Sequence, residues 1–171
     1  YERNAFGEIV SETSPDSGTT RYVRDAGGLI IARTDARGQT STWRRDLLGR
    51  VTEVTHADGK TETWRHDASP ALGPNQTGHL VEIEDSGAIT RYERDLHGRV
   101  TAKTQHVRDN PAAPSAYRVG YVQAGGQLAR IDYPGGLQVH YSRDASGQIR
   151  GIDVTRPGAQ RGAFVTDLAY T

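Results

Sequence analysis

The chain contains no cysteine and no methionine. Disulfides and thiolate metal sites are therefore excluded. Lysine is scarce: only Lys60 and Lys103 occur, so nearly all basic charge is arginine. The 21 basic residues balance 21 acidic ones, for a formal net charge of zero. That balance removes the bulk electrostatic attraction expected of a nucleic-acid partner. Apolar residues make up 35% of the chain and the mean hydropathy is −0.68, leaving little to fill a closed core. No apolar run approaches membrane-spanning length, and no signal-peptide pattern is present. The sequence holds no phosphate loop, no HExxH and no G-x-S-x-G.

What is present is a repeat. Residues 43–51 read WRRDLLGRV: aromatic, x, x, Asp, x, x, Gly, x, apolar. The shape returns as YVRDAGGLI at 22–30, YERDLHGRV at 92–100 and YSRDASGQI at 141–149. Residues 1–9, YERNAFGEI, place Asn4 where the others have Asp. Trp64 and Asp67 open a copy that is interrupted after the Asp, and 121–128 is a copy one residue shorter. The aromatics fall at 1, 22, 43 and 64, a period of 21, then at spacings of 28, 29 and 20. A period in this range fixes the architecture before any other feature.

Each copy carries a turn. Asp at its start bonds to the backbone ahead, and Gly at its fourth place supplies a left-handed residue. Gly7, Gly28, Gly49, Gly98 and Gly147 hold that place, so Gly49 is expected at positive φ. A second turn lies midway between copies: Asp16-Ser17-Gly18, Ala36-Arg37-Gly38, Asp58-Gly59, Asp85-Ser86-Gly87 and Pro134-Gly135-Gly136. Each period thus holds two turns and two strands, and the strands are rich in Thr, Val, Ile, Tyr and Trp. In the cleanest region they are expected at 19–24, 29–34, 40–45, 51–56 and 61–66. Apolar residues sit two and five places after each turn Gly, as with Val51 and Val54 or Leu80 and Ile83. Odd spacing puts them on opposite faces unless a bulge intervenes. The expectation is a broad sheet in which neither face is uniformly apolar.

This aromatic-x-x-Asp-x-x-Gly pattern resembles the YD repeat of Rhs proteins. That group includes bacterial Rhs polymorphic toxins, wall-associated proteins, shell subunits of insecticidal toxin complexes, and teneurins. The resemblance covers nearly the whole chain. It implies an all-β fold of stacked antiparallel hairpins, a segment of a spiral β-sheet shell, or cocoon. It implies a structural role, enclosing a toxin domain, and no enzymatic activity. The implied partners are the remainder of the same shell, the enclosed toxin domain, and a secretion apparatus or delivery protein. The implied location is secreted or cell-surface. No cofactor, nucleic acid or membrane insertion by this segment follows from it. In Rhs toxins a self-cleavage site near a DPxG-type motif ends the shell; no Asp-Pro pair occurs in this chain.

The domain expectation is one repeat array over 1–171, a piece of a longer protein. Surface loops are inserted near 68–79 and 107–116, where Pro and Gly cluster. Residues 155–163 read as a further loop, and 164–171 as the start of an incomplete unit.

The candidate site residues are structural. Tyr22, Trp43, Trp64, Tyr92 and Tyr141 are expected to form an aromatic ladder, Tyr1 and Tyr121 hold the same repeat place, and Asp25, Asp46, Asp67, Asp95 and Asp144 are turn formers. A catalytic carboxylate has no reason to recur in every repeat, whereas a turn former does. Arg24, Arg45, Arg94 and Arg143 precede those Asp residues and are expected to bond acidic or carbonyl groups of adjacent strands. None of the six histidines has metal-ligand spacing, and His56 with His66 flanking the Asp58-Gly59 turn is the nearest approach. No metal site is expected. A second reading of the aromatics is a carbohydrate-binding strip centred on Trp43 and Trp64. A third is a hydrolase built from polar groups of the sheet, for which the sequence offers no carboxylate cluster.

Overall fold

The computed structural model describes residues 1–67, 76–108 and 115–169. These form one antiparallel sheet of fifteen strands in strict sequence order. The first half comprises β1 (Glu2–Arg3), β2 (Ile9–Ser14), β3 (Gly18–Arg24), β4 (Ile30–Thr34), β5 (Thr40–Arg45), β6 (Val51–Thr55) and β7 (Thr61–His66). The second comprises β8 (Leu80–Glu84), β9 (Ala88–Arg94), β10 (Val100–Val107), β11 (Ser115–Ala124), β12 (Gln127–Asp132), β13 (Gln138–Arg143), β14 (Ile149–Thr155) and β15 (Gly162–Val165). Among the described residues the only helical element is a short 3-10 turn at Pro134–Gly136. Every strand pairs with its sequence neighbour through a hairpin, so all the contacts that build the sheet are local.

The two insertions enter this ribbon at turns. The first opens the turn between Asp67 and Gly78; the second extends the hairpin of β10 and β11. Both strands of that hairpin run further than the sequence suggested: Val107 pairs with Ser115 and His106 with Ala116. The loop expected at 107–116 therefore begins and ends in strand. The last strand also starts earlier than expected, at Gly162, and stops at Val165. Three residues before it, Ala159 closes a turn by donating its N–H to Arg156 O.

The apolar phase problem is resolved by bulges. At every hairpin carrying the aromatic-Asp-Gly pattern, the register slips by one residue. In β6, Val51 pairs with Arg45 but Glu53 pairs with Arg44, leaving Thr52 unmatched. The unmatched residue is always the third after the turn Gly: Val10, Ile31, Thr52, Val81, Thr101, Ala129 and Arg150. Val51, opposite Arg45, thereby joins the face of Trp43 and its partner Val54. The odd spacing is thus compatible with one face, contrary to the expectation from alternation alone. That face carries Tyr22, Trp43, Val54, Trp64, Ile83, Tyr92, Tyr121, Ile131, Tyr141 and Ile152. The opposite face carries Thr42, Arg44, Glu53, Arg65, Glu82, Arg91, Glu93 and Arg118.

The two faces are stabilised differently. The polar face is laced by ion pairs. Buried Glu82 is bonded by Arg65 and Arg91, and Glu84 by Arg65 and Arg108. Arg118 reaches Glu93 at 3.0 Å. Beside the first insertion, Val81 and Gln76 are among the most buried side chains, at 2% and 1% exposed. Gln76 Nε2 donates to Tyr92 O across the strands at 3.4 Å. Most other side chains remain half-exposed, which matches the low hydropathy: a single-layer sheet needs little apolar material.

Candidate functional site: a ladder of turns along one edge

The pattern residues converge on one edge of the sheet, where all the aromatic-Asp-Gly turns lie. In each regular copy the Asp Oδ1 accepts two backbone N–H groups. Asp46 takes those of Leu48 at 2.9 Å and Arg50 at 3.0 Å. Asp25, Asp95 and Asp144 repeat this geometry. Asn4 Oδ1 does the same for Phe6 and Glu8, so the Asn copy is equivalent. The hairpin closes with Gly49 N–H donating to Asp46 O and Asp46 N–H to Arg50 O. Gly49 sits at φ 78°, with Gly7, Gly28, Gly98 and Gly147 between 75° and 86°. The shortened copy near Tyr121 uses a different solution. Gly125 and Gly126 both have positive φ and form a two-residue turn between Ala124 and Gln127.

The arginine before each Asp is a staple. Its guanidinium donates to the carbonyl of its own turn Gly and to a carbonyl of the preceding hairpin. Arg24 reaches Gly28 O and Ile9 O, and Arg45 reaches Gly49 O and Ile30 O. Arg94 reaches Gly98 O and Leu80 O, and Arg143 reaches Gly147 O and Leu128 O. Of the acceptors considered from sequence, the carbonyls are the ones used.

A second tie joins successive turns. The residue after one turn Gly lies over the Gly of the next. A Cβ added to Gly28 would fall 2.1 Å from a Glu8 carboxylate oxygen, and one on Gly49 would fall 3.1 Å from Leu29 Cδ1. Gly98 stands in the same relation to His79 and Gly147 to Gln127. Glycine is thus required here for φ, while the overlying side-chain tips could swing aside from an added Cβ.

At the interrupted copy the tie is ionic. Arg50 bonds Asp46 of its own turn through Nε at 2.7 Å and Asp67 of the next through Nη2 at 2.7 Å. Asp67 also accepts the N–H of Gly78 at 2.6 Å and adopts φ 69°. The bond from Arg50, then that from Gly78, holds the Asp67 carboxyl at about 2, below its ordinary 3.8. Asp46 is lowered too: partial burial pulls it upward, but the Arg50 bonds outweigh that. A carboxyl whose pKa is depressed in the fold contributes stability above its unfolded value and loses it as pH falls through the folded one. The contribution of Asp67 is therefore expected to disappear between pH 3.8 and about 2. Urea midpoints measured at pH 5, 3 and 2 should show Asp67→Asn blunting the acid loss. Identical pH profiles for variant and parent would exclude the bridge as its source.

The aromatic residues occupy alternate strands. Tyr22 lies opposite Arg33, Trp43 opposite Val54, Trp64 opposite Ile83, and Tyr92 opposite Lys103. Tyr121 and Tyr141 lie opposite Ile131 and Ile152. The expected ladder is therefore interleaved, its aromatics two strands or about 10 Å apart. Tyr22 Oη donates to Glu12 at 2.6 Å, a bond that raises the phenol's pKa. Trp64 Nε1 and His66 Nδ1 are buried and have no hydrogen-bond partner among the described residues. His56 does not meet His66: they stand at opposite ends of β7, and His56 instead faces Glu62 at 3.0 Å.

A one-layer ribbon of hairpins, fastened turn to turn along one edge, defines a β-repeat wall. Residues 3–40 and 24–61 each match the RHS Repeat family model, and the region they cover is an Rhs/YD-repeat array. The two matches are offset by one period. No curated protein gave a match. Among solved structures, 97% of the chain aligns with TcdB2-TccC3 lacking its hypervariable C-terminal region, at 21% identity and TM-score 0.83. TcdB2-TccC3 itself aligns at 20% identity and TM-score 0.81. A mutant Tc holotoxin pore of Photorhabdus luminescens aligns at 20% identity and TM-score 0.80. Each alignment covers 97% of this chain and 9% of the matched chain. The likeness is one of fold, and the chain spans about a tenth of the length of those structures.

Proposed function

We propose that this array is wall material of a hollow YD-repeat shell that encloses a toxin domain. It acts by geometry and carries no catalysis of its own. The observation that carries the reading is the fifteen-strand meander, with no second sheet packed on either face among the described residues. An ordinary globular domain buries one face of a sheet against another layer; a wall leaves both faces free. The alignment with Tc toxin chains over 97% of this sequence supports the same reading. The partners would be the rest of the shell, the enclosed domain and a delivery component, and the setting would be extracellular.

The test uses the parent protein. Limited proteolysis of the intact protein should leave the enclosed domain uncut while exposed loops are nicked. Loosening the wall by Arg45→Ala and Arg94→Ala together removes two staples to preceding hairpins. It should expose the enclosed domain to cleavage at protease levels that spare the parent. If that domain is cut equally fast in the parent and the variant, the wall encloses nothing.

A further inference from the structure

β15 is lightly held. It has four residues, begins with Gly162, and leaves Gly162, Ala163 and Phe164 exposed, so burial does little to fix it. Among the described residues, its approach is tied to the sheet by the ion pair of Arg161 with Asp153, Nε to Oδ2 at 2.8 Å. Asp153 stands in β14 directly opposite His140 of β13. We infer that His140 is an acid-operated release for β15: once protonated, it takes the Asp153 carboxylate from Arg161. This goes beyond the wall function and does not depend on it.

The cluster around His140 is drawn from three strands and the approach to a fourth. Arg130 of β12 and Asp153 of β14 flank it in register, so the three side chains share a face. Residues directly opposite bring their Cβ atoms to about 4.5–5.5 Å, within reach of a side-chain bond. Asp132 of β12 is held by Arg130 through two bonds, Nε to Oδ1 at 2.8 Å and Nη2 to Oδ2 at 3.1 Å. Asp153 is held by Arg161. Each carboxylate thus has its own arginine, and the imidazole has neither. Its Nε2 stands 3.2 Å from Thr155 Oγ1 of β14, a neutral partner. The charges that face it are Arg130 and Asp132 from β12, Asp153 from β14 and Arg161 from the segment before β15. They cancel, so a proton on His140 makes the cluster net positive.

Burial first, then the charges of Arg161 and Arg130, hold the imidazole below its ordinary 6.5. His140 is therefore neutral at pH 7.5. A group lowered in the fold adds stability above its unfolded pKa and loses it as pH falls through the folded one. The change thus begins below pH 6.5. A protonated imidazole between two guanidinium groups needs a carboxylate. Asp132 is gripped at both oxygens from within its own strand. Asp153 is the carboxylate directly opposite, and its arginine is exposed and lies outside any strand. Transfer of Asp153 to His140 leaves Arg161 to water, and the Gly162 end of β15 then depends on its backbone bonds. Further on, Leu168 N–H donates to Arg150 O, so the release opens the start of the strand while the chain beyond stays anchored.

The test is hydrogen exchange of the parent protein from pH 7.5 down to pH 4, each rate corrected for the intrinsic pH dependence of exchange. The β15 amides should lose protection roughly tenfold as the pH falls, the loss of a charge-assisted bond. The midpoint should lie below 6.5 and above about 4, where an aspartate titrates. β3 and β4, which have no histidine beside them, should keep their protection. His140→Gln keeps a neutral polar group and should leave β15 protected throughout. Arg161→Gln removes the tie and should leave β15 unprotected at pH 7.5 already. Exchange in β12 and β13 reports whether each variant still forms the sheet, and the midpoint in the parent needs no variant. Full protection of β15 in the parent at pH 5, a midpoint at about 4, or an acid loss that persists in His140→Gln overturns the proposal.

Discussion

Deleting residues 22–42 from the parent protein should yield a soluble, protease-resistant shell; deleting residues 29–38 should not. The first deletion joins Arg21 to Trp43. It fuses the first half of β3 to the second half of β5, strands that run in the same direction and present their aromatics on the same face. One bulge, one Asp turn and one mid-period turn leave together. The next hairpin then meets an equivalent neighbour, because each unit contacts only those beside it. The second deletion removes β4 with its turn. β3 would then pass through the retained Asp25–Gly28 turn directly into β5, which would have to run in the opposite direction, and every later strand would face the wrong partner. Soluble yield and resistance to a fixed protease dose, measured side by side, decide the matter. Equal survival of the two variants would mean that the two-strand period is not the structural unit.

Gly18→Ala should be among the most destabilising small substitutions in the chain, and far worse than Gly38→Ala. Both glycines close mid-period turns at nearly the same φ, 74° and 78°. A left-handed residue with a Cβ costs about 1–2 kcal/mol in either place. Around Gly38 there is open space, whereas a Cβ on Gly18 would lie 2.6 Å from the Ala36 Cβ. That neighbour is fixed to the backbone and cannot rotate away. Overpacking of this kind adds roughly 1–3 kcal/mol. Ala36→Gly in the Gly18→Ala background should restore the packing part and leave the φ cost. Urea midpoints for the four members of this cycle give the coupling directly. A Gly18→Ala loss no larger than that of Gly38→Ala would show that the adjacent turns are not in contact.

Much of this fold could be read from residue order alone. Asp at the start of a turn and Gly three places on have one common use, and recurrence in copy after copy makes a turn former the natural reading of Asp25, Asp46 and Asp144. Strands expected at 40–45 and 61–66 match β5 and β7. What could not be read is whatever depends on how neighbouring hairpins are offset. The apolar pair Val51 and Val54 looks out of phase until the unmatched Thr52 between them is known. The choice of carbonyl partners for Arg45 and Arg94 requires knowing which strand lies behind each turn. His56 and His66 are close in sequence, yet a whole strand holds them apart.

The unmatched residue has a further meaning. It occurs once in each aromatic-Asp-Gly hairpin, always on the second strand and always third after the glycine. The mid-period pairs from β2–β3 through β12–β13 lack it. One strand of every such pair is therefore a residue longer than its mate over the same span, and a bulge bends its strand in a fixed sense. Seven such bends in phase act like darts sewn at even intervals into cloth. Each takes in a little material on one side, and together they bend a flat strip repeatedly in one sense. Curvature in this design is counted rather than packed: it is written as one surplus residue per period, whatever that residue is. Valine, isoleucine, threonine, alanine and arginine all serve in that place. An array specified in this way can vary nearly all its side chains and keep the same bend in every period.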